Sequence, residues 1–169
     1  MAKLEIKQIP VLKDNYLFLV RDSGTGVVAV IDPAVAGPAL DRAKALGWRI
    51  THILNTHHHP DHVGGNLEIK AATGCTIVGP AHDPARIPGM DVQVRDGDTY
   101  DLGQARAEVF FVPGHTRILF HKANLESQLD GCVAVGEEYG RLEGQPAVLH
   151  CGNGGGFDKF MQAVGDLEE

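Results

Sequence analysis

Residues 51–62 constrain this chain more than any other stretch. Thr51-His52-Ile53-Leu54-Asn55 reads as a short strand, and it runs without a spacer into Thr56-His57-His58-His59-Pro60-Asp61-His62. Four of the chain's nine histidines fall within those last six residues. His57 and His59 are two apart, so on extended backbone they share a face. Asp61 and His62 follow in a loop stiffened by Pro60. Imidazole nitrogen and carboxylate oxygen both suit zinc at about 2.0–2.2 Å. Four such groups buried without partners would cost stability. The spacing therefore predicts a metal site at a strand end rather than a solvated polar loop.

Around this stretch short apolar runs alternate with turn formers. Strands are predicted over 4–9, 16–20 and 27–31, punctuated by Lys13-Asp14-Asn15 and by Ser23-Gly24-Thr25-Gly26, as antiparallel hairpins. Asp32-Pro33 closes the third strand. Leu40, Ala43 and Leu46 recur at three-residue spacing, with Pro38 at the start and Gly47 beyond the end, which predicts a helix over 38–46. A second helix is predicted over 66–72, ended by Gly74. Further strands are predicted over 76–78, 92–94, 99–102, 107–112, 118–121, 133–135 and 147–149. Phe157, Phe160, Met161, Val164 and Leu167 form one face of a last helix, read as core. The Gly152-Asn153-Gly154-Gly155-Gly156 run lacks the Lys-Ser/Thr ending of a phosphate loop and reads as a turn into that helix. Helices interleaved with strands pack on a sheet, an α/β class. A length of 169 residues fits one domain over 1–169.

A metal site at the rim of a sheet draws ligands from several strand ends. His115 follows the strand at 107–112, and His150 ends the strand at 147–149. Between them, Asp130 and Cys132 stand just before another strand and offer a carboxylate or a thiolate. They are two apart, so in extended chain they share a face, and only one need reach a metal. His52 and His121 read as strand side chains, His58 as a spacer and His82 as a surface loop residue.

Thr56-His57-His58-His59-Pro60-Asp61-His62, followed by Val63-Gly64-Gly65-Asn66, resembles the signature of the metallo-β-lactamase superfamily. Within it the wording is closest to glyoxalase II, the hydroxyacylglutathione hydrolases. Asp14-Asn15-Tyr16, Val30-Ile31-Asp32-Pro33, Asp96-Gly97-Asp98 and Pro113-Gly114-His115-Thr116-Arg117 are similar to that family too. The likeness runs from about Ile9 to His121. It implies an αββα sandwich with a two-metal centre on its rim. By it, His57, His59 and His115 hold the first metal, and Asp61, His62 and the last histidine, read as His150, hold the second. It also demands a ligand between His115 and His150. The Gly131-Cys132 pair favours Cys132, and Asp130 is the alternative.

Beyond His121 the likeness changes. Arg117 runs into Ile118 where glyoxalase II has Gly-His, and its Gly-Asp-Thr-Leu-Phe segment has no counterpart. Leu129-Asp130-Gly131-Cys132-Val133 is more similar to the β-lactamases that use a cysteine ligand. Gly140-Arg141-Leu142-Glu143-Gly144 resembles a shortened glyoxalase motif, which makes Arg141 a candidate substrate contact. The helical domain that completes the glutathione site in glyoxalase II has no counterpart in these residues. Two origins stay open: an engineered graft of a lactamase-like back onto a glyoxalase II front, or a natural, short family member.

The expected chemistry is binuclear, metal-dependent hydrolysis by a metal-bound hydroxide, with two zinc ions, or iron or manganese, as cofactors. Asp61 is the expected catalytic residue, orienting water and accepting its proton. Thioesters of the hydroxyacylglutathione type are the first substrate class. A β-lactam is the second, and a metal-binding scaffold without turnover the third. No Gly-x-Ser-x-Gly elbow is present, which weighs against covalent catalysis. Fifteen basic against 22 acidic side chains leave a net charge of −7, so nucleic acid and anionic lipid are not expected partners. Three cysteines without disulfide-like spacing, and no secretory signal, point to a reducing cytoplasm and a small-molecule substrate.

Overall fold

The computed structural model describes residues 4–82 and 84–110. β1 (Leu4–Val11) and β2 (Asn15–Asp22) form a hairpin whose register runs from Leu4 opposite Asp22 to Val11 opposite Asn15. β3 (Val28–Ile31) continues the antiparallel meander. After it the connections lengthen and the strands become parallel. α1 (Gly37–Ala45) leads to β4 (His52–Leu54); α2 (Pro60–Val63) and α3 (Asn66–Thr73) lead to β5 (Thr76–Pro80); a 3-10 turn at Pro84–Arg86 precedes β6 (Val92–Val94). The strand order in this six-stranded sheet is the chain order, β1 to β6. β7 (Thr99–Leu102) and β8 (Ala105–Glu108) form a separate two-stranded antiparallel sheet.

Both faces of the large sheet are covered, which explains why β2 reads as a continuous apolar run rather than an alternating one. Leu17 and Leu19 join Val28, Val30, Ile53 and Ile77 in a core with Ala39 and Ala43 of α1 and Ile69 of α3. Phe18 and Val20 join Ala29 in a second cluster with Leu102 of β7. Successive strand residues point to opposite faces, so β2 supplies both cores at once. This layering of helices, sheet and second sheet is the described part of the expected sandwich.

The hairpin regions and the helices over 38–46 and 66–72 fall where predicted, within a residue or two at each end. Three local readings change. The loop expected after Pro60 is the short helix α2: Pro60 opens it with φ preset for a first turn, and extended His59 accepts from the backbone N–H groups of His62 and Val63 at 2.9 and 3.2 Å. The strand expected over 107–112 starts earlier, at Ala105, because Leu102 pairs with Ala105 across the tight turn Gly103-Gln104. The 3-10 turn at Pro84–Arg86 was not predicted. The strands expected over 118–121, 133–135 and 147–149, the turn at 152–156 and the helix over 157–167 lie outside the described residues. Among the described residues no helix is long and apolar enough to cross a membrane.

One buried carboxylate ties the two sheets together. Asp22, at the end of β2, is fully buried. It accepts the backbone N–H of Gly24 at 2.9 Å, the Thr25 hydroxyl at 2.6 Å and the backbone N–H of Gln104 at 2.7 Å. Burial alone would raise its pKa; the bonds from Gln104, Thr25 and Gly24 together outweigh that and hold it below the usual carboxylate range. Gly103 makes this contact possible: its φ is +68°, and a Cβ there would collide with Thr25 Oγ1 and Asp22 Oδ2.

Candidate metal centre

The site forms at the carboxyl end of β4, beside the carboxyl end of β3, where the sheet passes from antiparallel to parallel pairing. That is where α/β sheets place their ligands. Asn55 and Thr56 carry the chain from β4 to His57, and the backbone N–H of Asn55 still bonds to the Val78 carbonyl at 2.9 Å. β3 ends in Asp32, whose φ of +47° turns the chain sharply. Its backbone N–H still bonds the Leu54 carbonyl at 3.1 Å.

Asp32 is fully buried and organises the cluster. Its Oδ1 accepts the Thr56 backbone N–H at 2.7 Å, and its Oδ2 accepts the Thr56 hydroxyl at 2.5 Å. The hydroxyl's single proton is thus committed to the carboxylate. Thr56 Oγ1 is also 2.8 Å from His57 Nδ1. With no proton left to give, it accepts, so His57 carries its proton on Nδ1 and keeps a lone pair on buried Nε2. His62 Nδ1 lies 3.2 Å from Asp32 Oδ2. That attraction favours a proton on Nδ1, with Nε2 as the donor nitrogen. One carboxylate therefore sets the His57 tautomer through a hydroxyl and draws the His62 ring toward itself by charge.

Burial is the largest influence on both charges, and in both it is outweighed. It pulls the His62 pKa down, but the bond to Asp32 and the charges of Asp32 and Asp61 raise it overall. It pushes Asp32 up, but His62 through contact and charge, the His57 charge and the Thr56 bond hold Asp32 below the usual carboxylate range.

The His57, His59 and His62 rings lie close together, with Asp61 beside His62. The His57 ring centroid lies 4.7 Å from that of His59 and 4.0 Å from that of His62. Asp61 Oδ2 is 3.5 Å from His62 Nε2. His57 and His62 are buried, whereas Asp61 is exposed. His58 sits at the edge of the set, 5.1 Å centroid to centroid from His59. His52 is a half-buried side chain of β4, and His82 is exposed in a turn, both as expected. His115, Asp130, Cys132, Arg141 and His150 lie outside the described residues.

Two glycines and two asparagines hold the loop in place. A Cβ on Gly64 would collide with the Ala34 carbonyl oxygen, and one on Gly65 would sit 2.8 Å from the Val35 carbonyl carbon. The loop after β3 thus packs directly under α2, with the Gly65 N–H bonded to the Pro33 carbonyl at 2.7 Å. Below it, the buried Asn55 side chain donates to the His62 carbonyl at 3.0 Å and accepts from Asn66 Nδ2 at 2.7 Å.

The donor set fits a metal ion of the zinc class: imidazoles with fixed donor nitrogens, and an exposed carboxylate beside them. Donor atoms of Asp32, His57 and His62 lie within 4.8 Å of one another. Asp32 is nevertheless a poor ligand, because both of its oxygens already serve Thr56 and His62. It is the residue the sequence reading missed. Its signals were its place at the end of a strand and within the family-like Val30-Ile31-Asp32-Pro33, and the partners that reveal its role lie 24 residues away or more.

A metallo-beta-lactamase superfamily model matches residues 13–122. The hydroxyacylglutathione hydrolase of Methylococcus capsulatus is 62% identical over 113 residues, which is 67% of this chain and 44% of that protein. The hydroxyacylglutathione hydrolase of Maricaulis maris is 45% identical over 157 residues, taking in 88% of this chain and 59% of that one. The chain thus spans about half the length of the curated relatives it matches. Among solved structures, ETHE1 from Myxococcus xanthus superposes with a TM-score of 0.61 at 29% identity, over 69% of this chain and 52% of that chain. The subclass B3 metallo-beta-lactamase BJP-1 of Bradyrhizobium japonicum gives 0.60 at 24% identity, over 73% and 55%, a likeness of fold.

Proposed function

Because the chain belongs to the metallo-beta-lactamase superfamily, we propose that it is a metal-dependent hydrolase acting on thioesters of the hydroxyacylglutathione type. The observation that carries this reading is the buried pair His57 and His62 gathered around Asp32, beside the exposed Asp61 carboxylate. The 62% identity to a hydroxyacylglutathione hydrolase supports this substrate class.

His57 and His59, with His115, would hold one ion; Asp61 and His62, with His150, would hold the other; Cys132 or Asp130 would complete the set. Zinc suits these donors, and iron or manganese would be accepted by the same imidazoles. When bound, such ions supply a water of lowered pKa and polarise a carbonyl oxygen. The chain's own residues do the rest. Asp32 attracts the Nδ1 side of His62, and through Thr56 it keeps the His57 proton on Nδ1, which leaves His57 Nε2 as its donor nitrogen. Asp61, exposed at the start of α2, is placed to orient a water and to take its proton. A thiolate leaves with little acid assistance, which suits a site whose described part holds no dedicated general acid. Arg141 is assigned to the substrate's polar arm. Net −7 supports a small-molecule substrate over a nucleic acid, and the sparse cysteines support a cytoplasmic setting.

Elemental analysis of the purified protein, followed by rates on an acyl-glutathione thioester and on a cephalosporin, tests the proposal. Two equivalents of metal with thioester turnover are expected. Stoichiometric metal with cephalosporin turnover alone would transfer the assignment to β-lactams, and no bound metal would reject the hydrolase reading.

A further inference from the structure

The hairpin tip between β1 and β2 reaches across to the metal loop through one side chain. Asn15 Nδ2 donates to the Asp61 backbone carbonyl at 2.7 Å and lies 3.4 Å from Asp61 Oδ2. The amide orientation is fixed by chemistry: Asn15 Oδ1 accepts the Tyr16 backbone N–H at 2.7 Å, so the NH2 group is the end that faces Asp61. Asp61 Oδ2 thereby sits between Asn15 on one side and His62 Nε2, 3.5 Å away, on the other. Both of its polar neighbours hold the same oxygen. Asp61 is otherwise exposed, on the first turn of a four-residue helix. An exposed carboxylate explores several rotamers unless something restrains it, and Asn15 is the hydrogen-bond donor in position to do so.

We propose that Asn15 is a positioning residue, setting the rotamer of Asp61 so that the carboxylate meets its metal and water in one orientation. This rests on the assignment of Asp61 as a ligand made above. It makes the β1–β2 hairpin part of the site's outer support, 46 residues from the side chain it serves.

Zinc and cobalt(II) titrations of the full chain, with chelator competition and cobalt absorption spectra, test this. Asn15→Ala is expected to weaken the ion held by Asp61 and His62 by about 10–100-fold, to alter its cobalt spectrum, and to spare the ion held by His57 and His59. Asn15→Asp keeps the side-chain size and the acceptor for Tyr16 N–H, but sets a carboxylate against two Asp61 oxygens. It should lose at least as much affinity while the metal-free protein melts near the wild-type temperature. On an Asp61→Ala background, Asn15→Ala should cost no further affinity. Wild-type affinities with an unchanged cobalt spectrum in Asn15→Ala overturn the proposal, as does an equal loss when Asp61 is already absent. A wild-type chain without metal, or an Asp61→Ala variant that keeps both ions at full affinity, overturns the ligand assignment beneath it, and the proposal falls with it.

Discussion

Asp22→Asn is the smallest change that asks whether the buried carboxylate between the two sheets holds them together. The wild-type side chain accepts at Oδ1 from the Gly24 N–H, and at Oδ2 from the Thr25 hydroxyl and the Gln104 N–H. An asparagine has one acceptor oxygen. In its better orientation it keeps Thr25 and Gln104 and turns its NH2 group toward the Gly24 N–H, so donor faces donor. A bond to a charged group contributes about 1.5–3 kcal/mol, and a neutral one about 1. One lost bond and two weakened ones come to about 3 kcal/mol, reduced toward 2 because Gly24, Thr25 and Gln104 are exposed and recover water. For a domain of this size, that is a fall of roughly 5–10 °C in Tm. Urea unfolding of both proteins between pH 7 and pH 3 is the assay. The folded Asp22 pKa lies below its unfolded value. Its stabilisation is therefore complete above the unfolded pKa of about 3.9 and is lost as pH falls through the folded one. The gap between variant and wild type should hold constant from pH 7 to pH 5 and begin to close only below about pH 4. A variant within 0.5 kcal/mol of wild type at pH 7, a bound set from the size of ordinary surface changes, would refute the account of Asp22 as a clamp.

Other predictions follow from the site. Asp61→Ala should abolish hydrolysis with a circular dichroism melt close to wild type, since the side chain is exposed and carries little packing; near-wild-type turnover would reject its role. Gly64→Ala forces a methyl group against the Ala34 carbonyl and should cost about 2 kcal/mol or more, together with metal affinity, read by melting and metal titration. Cys132, if a ligand, should resist alkylation until a chelator is added. Equal alkylation rates with and without zinc, and metal loss in Asp130→Ala, would pass the role to Asp130.

Much of this was legible in the sequence because it is local. The His57–His62 cluster is contiguous, and its strand, its proline and its two glycines mark their own positions. The hairpins and the two longer helices carry ordinary periodicity and turn chemistry. What stayed hidden depends on contacts between distant segments. Asp32 reads as a strand-closing residue until Thr56 and His62 fold onto it. Asn15 reads as a turn residue until Asp61 arrives. Asp22 meets Gln104 across 82 positions. α2 escaped because four residues are too few for a periodic signal. The change of character after His121 raised the prospect of a graft. The Maricaulis maris relative takes in 88% of the chain, and residues 1–121 are less than three quarters of it, so that match continues past His121.

The coincidence of strand order with chain order in the large sheet bears on how the protein is made. Each strand from β2 to β6 docks on an edge that its predecessor has just completed. Among the described residues no strand of this sheet waits for a distant partner, so the entropy of closing long loops is kept small and these strands can be laid down progressively during synthesis. The histidine loop emerges straight after β4, onto an Asp32 already anchored at the end of β3. The His57–His62 cluster is thus organised while the second sheet is still to come. The Asp22–Gln104 contact forms after all six of those strands, a latch on a sheet already built.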